Sequence, residues 1–561
     1  MKLRLLLLAF GAIGSLFSLS AFGQSYAITN AKVVTVSGET IEKGTVVVRD
    51  GLIQAVGANV VAPADAQVFD GTGLTVYPGF IDTLTSLGMP AAPARPTGGG
   101  PGGGAAAATA AAPTSNSNYP AGLRPEAIAE DDLRGGESQY ETNRNAGFTT
   151  VLTVGRTGIF NGQSAIIDLA GDNVSGMIIK SPFAEHISFA TIQGQYPGSL
   201  LGTFSALRQM FLDAQRLQEL RKLYAADPKG MKRPEADKSL DALIPILNRQ
   251  VPIVFNANRF NEIARALDFA KEFNLKIYIA GGQEAWKLTD RLKAQDVPVL
   301  LSLNYPKRTA TASAEADPED LDLLRFRAET PKGAAKLAQA GVKFAFQSGG
   351  ATSIGDYFTN AGKTVEGGLS RDATVRAMTL GAAELLGISD RTGSIEPGKI
   401  ANLTVVKGDL FGTDRSIKNV FVDGKPFEQK DAPPAERGQG GRRGGRPDGA
   451  APGAPPTTTP AFAEVGGNYN ITINVPDQTL TGTLVLVQQA AVITGSLTTQ
   501  IGTATVRDGK VTAEGFNFAS TVEIGGASME IHVQGKVTGN QISGTIDTPQ
   551  GVVPFTGTKN P

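Results

Sequence analysis

The stretch that most constrains this chain is residues 78–88, which read Pro-Gly-Phe-Ile-Asp-Thr-Leu-Thr-Ser-Leu-Gly. A turn signal at residues 70–73 and an apolar run at residues 74–77 precede it. On its amino-terminal side, residues 25–78 contain short apolar runs separated by Asn and Asp-Gly turns, which predict short strands and hairpins. The stretch therefore lies where a region of short strands meets the rest of the chain.

On its carboxyl-terminal side, strands and helices alternate. Apolar runs predict strands at residues 251–255, 276–280, 297–303 and 342–346, with helical patterns between them at residues 261–273, 284–294 and up to about residue 340. Helical spacing of apolar residues also predicts a helix over residues 205–226. Alternation of this kind, with fully apolar strands, is typical of a parallel sheet whose faces are covered by helices.

Residues 78–88 resemble the first barrel strand of the amidohydrolase superfamily, whose usual form is P-G-F-I-D-x-H-x-H. Residues 146–151, Ala-Gly-Phe-Thr-Thr-Val, are like the A-G-V-T-T-V of its second strand. Residues 393–403 match its closing pattern G-S-I-E-P-G-K-x-A-D-L, except that Asn402 replaces the aspartate. Residues 161–167 are similar to a segment of the exported, imidazolonepropionase-like amidohydrolases.

The resemblance covers residues 25–428 and implies an α/β chain built on a (β/α)8 TIM-like barrel over residues 79–392. It also implies a split composite β-sandwich, in which residues 24–78 and 393–428 supply strands from both ends of the barrel sequence. The activity that it implies is hydrolysis of carbon–nitrogen bonds other than peptide bonds, through a catalytic divalent metal that is commonly zinc.

In that family the metal ligands project from the ends of barrel strands one, five, six and eight, and they are imidazoles and carboxylates. The resemblance places these positions at Leu84, Ser86, Asn256, Gly281 and Gly349. None of the five is a histidine or an acid. The chain has no cysteine and only two histidines, His186 and His532, so the count excludes a histidine-rich centre. We therefore predict that the ancestral zinc site is lost, that no cofactor is bound and that the chain is a pseudoenzyme.

Five residues in or near the matching segments are candidates for contact with a ligand: Asp82, Asn258, Glu284, Ser348 and His186. For two of them the alternative is structural: Asp82 as a hydrogen-bonding group at a strand end and His186 as a hydrogen-bonded histidine. Lys180 could mimic the carboxylated lysine of some relatives, although a solvent-facing lysine at a strand end is the alternative. The glycines at 281–282 and 349–350 could present backbone N–H groups to an anion. No catalytic residue set is predicted.

The ends of the chain and two internal stretches differ in composition from the rest. Residues 1–23 predict a secretory signal peptide, with an uncleaved anchor as the alternative, because two basic residues precede an apolar run too short to span a bilayer. Residues 89–122 form a low-complexity loop, and residues 429–461 form an Arg/Gly/Pro linker that we expect to be disordered. Residues 462–561 predict a small β-barrel or sandwich that resembles lipocalin-like modules.

The net charge of −1, with both signs well mixed, argues against a nucleic-acid partner. No segment after the signal peptide reaches the roughly 18 apolar residues of a transmembrane helix, so we expect a periplasmic or extracellular protein.

Three functions remain open. The first is a degenerate amidohydrolase that binds a small molecule or serves as a partner subunit, of an active paralogue or in a homo-oligomer. The second is a hydrolase that works without the ancestral metal centre and uses either the Glu185–His186 pair or Glu284. The third is an envelope-binding protein that acts through its C-terminal module.

Overall fold

The fold is that of a computed structural model, which describes residues 25–90, 119, 122–136, 138–171, 173–189, 191, 196–307, 319–349, 354–428, 465–475, 478–489, 492–499, 502–511, 515–524, 527–548 and 551–559. The predicted signal peptide, most of the 89–122 loop and the 429–461 linker lie outside these residues. The described residues form two compact units, the first ending at residue 428 and the second beginning at residue 465. Each unit has its own apolar core.

The first unit contains one mixed eight-stranded sheet built from both ends of the barrel sequence. Its strands are Ser25–Val33, Ile41–Arg49, Leu52–Gly57, Gln67–Asp70, Leu74–Pro78, Leu403–Lys407, Ser416–Val422 and Lys425–Glu428. The two sets join where Leu403–Lys407 pairs antiparallel with Leu74–Pro78, and their apolar side chains share one core. Asp50 and Gly51 form the predicted hairpin turn, with φ angles of 52° and 80°. The composite β part of the predicted fold is confirmed.

A barrel of eight strand positions forms the rest of this unit. The positions are occupied by Phe80–Thr85, Phe148–Thr153, Phe160–Gln163 with Ala165–Asp168, Glu185–Ser188, Ile253–Ala257, Ile277–Gly281, Val299–Ser302 and Phe344–Gln347. The first two strands pair in parallel, as do the last five in sequence. The eighth lies beside the first, where Thr83 donates its hydroxyl proton to the carbonyl oxygen of Phe346 over 2.9 Å. The predicted TIM-like barrel is confirmed.

The third position departs from the expected all-parallel arrangement. Phe160–Gln163 pairs antiparallel with Glu185–Ser188, and Ala165–Asp168 pairs antiparallel with Phe148–Thr153. Only residues 154–159 separate this strand from the second one, and a parallel strand needs a crossover of a dozen or so residues. The short connection therefore forces the chain to reverse direction.

Helices pack on the barrel. They are Ala129–Asp132, Ser138–Asn145, Val174–Met177, Leu200–Ala226, Lys238–Leu247, Phe260–Glu272, Thr289–Ala294, Leu321–Glu329, Gly333–Ala340, Gly355–Glu366, Arg371–Met378 and Leu380–Leu386, with 3₁₀ turns at Ala285–Leu288 and Thr330–Lys332. The helix predicted over residues 205–226 begins earlier, because the Ser199 hydroxyl caps it by accepting from the Gly202 amide. Its buried stripe includes Leu207, Met210 and Phe211, as the apolar spacing predicted. None of the described helices has the length and apolar character needed to cross a membrane.

The second unit is a closed all-β barrel. Its strands are Gly467–Val475, Gln478–Gln489, Val492–Thr499, Gly502–Thr505, Arg507–Val511, Phe516–Ile524, Ala527–Thr538, Gln541–Thr548 and Gly551–Lys559. Eight of them form the ring, which closes because the first strand pairs with the last and the second with the third. Apolar side chains fill the interior, among them Tyr469, Phe518 and Phe555. This confirms the predicted C-terminal β module.

Candidate functional site

A cavity of about 570 Å³ lies at the carboxyl ends of the barrel strands, the end where barrels of this kind carry their sites. Polar side chains dominate its lining, including Ser86, Asn161, Ser188, Asn256, Asn258 and Gln347. Its position follows from the strand alternation, since residues two apart on a strand share a face. Leu300 belongs to the buried apolar core, and Ser302 at the end of the same strand lines the cavity. The barrel is thus apolar within and polar at its mouth.

All five positions assigned to the vestigial metal centre line this one cavity: Leu84, Ser86, Asn256, Gly281 and Gly349. They lie at or just beyond the ends of four strands that are widely separated in sequence. Parallel strands place their carboxyl ends at the same edge, which is why the tertiary structure brings these residues together.

The residues at these positions do not fit a divalent metal. Leu84 has no donor atom, and the Ser86 hydroxyl accepts a hydrogen bond from Nε of Arg156. Asn256 Nδ2 donates to Oδ1 of Asn161 over 3.2 Å. One hydroxyl and one amide are a poor substitute for the imidazoles and carboxylates that hold zinc. Within the described ranges, no group of three or more His, Cys, Asp or Glu residues is placed to hold a metal ion.

The backbone at the two glycine positions is unfavourable for a ligand-bearing side chain. Gly281 has a φ of 93° and Gly349 a φ of 68°, a region that L side chains rarely adopt. A Cβ atom at Gly281 would overlap Oδ1 of Asn258, and one at Gly349 would crowd the hydroxyl of Ser302. Restoring a histidine or an aspartate here would require the neighbouring side chains to move and would strain the chain.

Asp82 is buried just outside the cavity lining and ties the first strand to the eighth. Its Oδ1 accepts from the backbone amides of Ser348, at 2.9 Å, and Leu84, at 3.3 Å. Its Oδ2 has no hydrogen-bond partner. Burial raises the pKa of Asp82 to about 6, although the hydrogen bonds from Ser348 and Leu84 oppose the rise. Of the two candidates in this contact, neither Asp82 nor Ser348 lines the cavity.

Asn258 and Glu284 have different positions. Asn258 lines the cavity, and its backbone amide donates to Glu262 over 2.8 Å. Glu284 lies outside the lining, where it accepts from the Phe260 amide at 2.8 Å and from the Lys287 ammonium at 2.7 Å. Burial alone would raise the pKa of Glu284, but these two partners outweigh it, so the pKa is lowered. Glu284 therefore acts as an ion-paired anchor at the start of a helix.

His186 is wholly buried one level below the cavity, on the same strand face as the cavity residue Ser188. Its Nε2 lies 2.9 Å from the Ser164 hydroxyl, and burial lowers its pKa to about 3. Glu185 faces the other side of the strand, fully buried, and burial raises its pKa well above the usual value. Neither residue lines the cavity. Lys180 is exposed at the end of a short strand and is also remote from the lining.

The sequence analysis missed Arg156, the single charged residue among the described residues of the lining. It lies three residues beyond the second barrel strand, Phe148–Thr153. The resemblance directs attention to positions where the family has metal ligands, and the second strand supplies none. A search for polar residues at or just beyond the end of every barrel strand would have found it, together with Asn304 beyond strand seven and Gln347 at the end of strand eight.

Parts of this chain are similar to known proteins. Residues 324–427 match the model of the amidohydrolase family. Among solved structures, an amidohydrolase from Thermotoga maritima MSB8 superposes with a TM-score of 0.59 and 24% sequence identity, covering 72% of this chain and 100% of that one. A putative prolidase from Bifidobacterium longum has a TM-score of 0.44 and 18% identity, covering 72% and 95%. No curated protein matches the sequence.

The sequence match and the structural similarity point to the same fold. The first unit has the barrel fold and composite sheet of an amidohydrolase, and its last part, residues 324–427, matches the amidohydrolase family in sequence.

Proposed function

We propose that the barrel is a small-molecule binding domain and that it does not hydrolyse a substrate through a metal. The observation that supports this is the lining of the barrel-mouth cavity. The five positions that hold a metal in the family all face this cavity, yet among them they offer one hydroxyl and one amide. A volume of about 570 Å³ lies within the usual range of small-molecule sites, and the polar lining supplies hydrogen bonds to orient a ligand.

The geometry gives little support to a hydrolase that works without a metal. A general base has to come within hydrogen-bond reach of the proton that it removes. His186 is wholly buried below the cavity, and Glu185 is wholly buried on the opposite side of the same strand. Glu284 is engaged by Lys287 and a backbone amide. No nucleophile with an adjacent base is present among the described residues of the lining.

Metal analysis of the full-length protein tests the proposal. The protein is purified through a tag that does not bind metals, from cells grown with added zinc, and its metals are measured by mass spectrometry. We expect much less than one zinc per chain and no zinc-stimulated hydrolysis of amides or lactams. The double variant L84H/S86H restores the histidine pair of the first strand and serves as the comparison, with a higher zinc content expected. One zinc per wild-type chain together with zinc-dependent hydrolysis would refute the proposal.

We further infer export and a role beside other subunits, because the sequence begins with a predicted leader and the site lacks the family's ligands. The mature chain should begin at Gln24 in a periplasmic or extracellular fraction, which mass spectrometry of the amino terminus checks. A partner role predicts that light scattering of the full chain shows a homo-oligomer, or a complex after mixing with a paralogue that retains the H-x-H pair. A chain that stays monomeric in both samples contradicts that role.

A second candidate function, envelope binding by the C-terminal unit, is favoured by one surface. Four neighbouring strands present two rows of uncharged side chains across the barrel, Thr483–Asn470–Thr558–Gln541 and Thr481–Thr472–Thr556–Ser543. They line a shallow depression of about 790 Å³. A regular array of hydroxyl and amide groups without charge suits an uncharged, hydroxyl-rich polymer such as a cell-wall polysaccharide.

Cosedimentation with purified cell-wall sacculi tests this second function. The double variant T472R/T556R, which places two bulky cations at the centre of the array, should reduce the bound fraction of the full-length protein several-fold. T494R, on an exposed position outside the array, is the matched control and should bind as the wild type does. Equal binding by all three proteins would rule out this surface as the contact.

A further inference from the structure

The charge of the barrel-mouth cavity is one-sided. Among the described residues of its lining, Arg156 has the single charged side chain, and all the others are neutral. No carboxylate among these described residues therefore lines the cavity to repel an anion or to neutralise the guanidinium. The ancestral site is built to hold a metal dication, whereas the site of this chain presents an organic cation.

Arg156 is held beside the place that the metal ligands would occupy. Its Nε donates to the hydroxyl of Ser86, which stands at the position of the second histidine of the first strand. Within the part of the chain that the structure describes, no carboxylate lies within ion-pair distance of this guanidinium. Arg259, which follows the fifth strand, differs, since it lies 3.8 Å from Glu284. A guanidinium without a carboxylate partner, such as that of Arg156, presents a planar set of N–H donors that matches carboxylate and phosphate oxygens.

Gln347 supplies a second requirement for the ligand. Its side chain is buried and lines the cavity, and its Nε2 donates to the carbonyl oxygen of Leu300 over 3.2 Å. That bond fixes the orientation of the amide, because only the nitrogen can donate to a carbonyl. The remaining atom, Oε1, is buried and has no hydrogen-bond partner. A buried acceptor without a partner is costly, so a donor brought by a ligand would stabilise this site.

We propose that the cavity binds a small molecule that carries an oxyanion, a carboxylate or a phosphate, paired with Arg156, and an N–H or O–H group that donates to Gln347. This inference rests on the proposed binding function and names the chemistry of its ligand. Arg156 then replaces the positive charge of the lost metal, and the neutral amides around it orient the rest of the ligand.

Isothermal titration calorimetry of the full-length protein at pH 7 and low ionic strength tests the proposal with matched probes. N-acetylglycine carries both a carboxylate and an N–H group. N-acetylglycinamide is of the same size without the charge, N-acetylsarcosine lacks the N–H group, and inorganic phosphate represents the other oxyanion. The variant R156Q removes the cation from the cavity. R325Q, an exposed arginine on the helix Leu321–Glu329, removes one elsewhere.

We expect N-acetylglycine to bind the wild type and R325Q at least tenfold more tightly than N-acetylglycinamide, with this preference abolished in R156Q. N-acetylsarcosine should bind several-fold more weakly than N-acetylglycine. Tighter binding of phosphate, also lost in R156Q, would identify phosphate as the oxyanion. Equal binding of the charged and the neutral probe would overturn the oxyanion site and leave the binding pocket intact. Binding of no probe by the wild type would overturn both proposals.

Discussion

Replacing Asp82 by asparagine tests how strongly the barrel shields its first strand from water. Oδ1 of the carboxylate accepts from the amides of Ser348 and Leu84, and an asparagine oxygen can accept the same two bonds. The amide nitrogen would replace Oδ2, which has no partner to lose. The substitution therefore removes the charge while keeping the shape and the existing hydrogen bonds.

The size of the effect follows from the pKa. Burial raises the pKa of Asp82 from 3.8 to about 6, and a tenfold change in an acid dissociation constant corresponds to about 1.36 kcal/mol. Below pH 3.8 the acid is protonated in both the folded and the unfolded chain, and no penalty arises. As the pH rises to 6, the unfolded chain loses this proton more readily than the folded one, so the wild type loses about 3 kcal/mol of unfolding free energy. The variant D82N does not lose it.

Urea unfolding of both full-length proteins at pH values from 4 to 7 measures this difference. The chain has one tryptophan, Trp286, which lies in the barrel unit against Lys336, so its fluorescence follows the unfolding of that unit. The stability of D82N relative to the wild type should rise by about 2 kcal/mol between pH 4 and pH 6.5, because part of the total of about 3 kcal/mol is already lost at pH 4. The variant D290N, at an exposed position on a barrel helix, should show no such rise. A difference that stays constant over this range would refute the claim that Asp82 is desolvated.

Three further substitutions have expected outcomes in the same unfolding assay. The stability of H186Q relative to the wild type should be about 2 kcal/mol higher at pH 5 than at pH 7. The folded chain keeps this histidine neutral with a pKa of about 3, whereas the unfolded chain protonates it near pH 6.5, so the wild type loses stability as the pH falls. A difference in stability that does not depend on pH would contradict this. G281A should lower the unfolding free energy by at least about 1 kcal/mol, since alanine resists a φ of 93° and its Cβ meets Asn258, and unchanged stability would argue against this backbone. E284Q should lose about 1 to 2 kcal/mol, because Glu284 accepts from the Phe260 amide and an ammonium group, without changing binding of N-acetylglycine; a large loss of binding would place Glu284 in the site.

Much of the barrel follows from the sequence because its signals are local. The apolar runs around Val254 and Leu300 predicted buried strands, and the Asp50-Gly51 pair predicted a hairpin, since turn geometry depends on adjacent residues. The antiparallel third strand was not anticipated. It depends on the length of one short connection, which matters only once the neighbouring strands are in place.

Some residues of the candidate site could also be predicted from the sequence, and others could not. Leu84, Ser86 and Gly349 could be assigned to the mouth from motif positions alone, and all of them line the cavity. Arg156 and Gln347 carry no motif of their own. Their positions at the strand ends could have placed them at the mouth, but not shown which groups they contact. His186 illustrates the converse, since a histidine beside an acid in the sequence proved to point into the barrel beneath the cavity.

The sequence by itself determined the class of fold and the absence of the family's ligands from their expected positions, because both are properties of particular residues in particular segments. The tertiary structure alone decided what replaced those ligands. It brought Arg156 from the second strand to Ser86 of the first, and left Oε1 of Gln347 without a partner in the same cavity. The net charge of a site and its unsatisfied hydrogen-bonding groups depend on side chains that are distant in sequence. These properties are therefore set only when the folded barrel brings those side chains together.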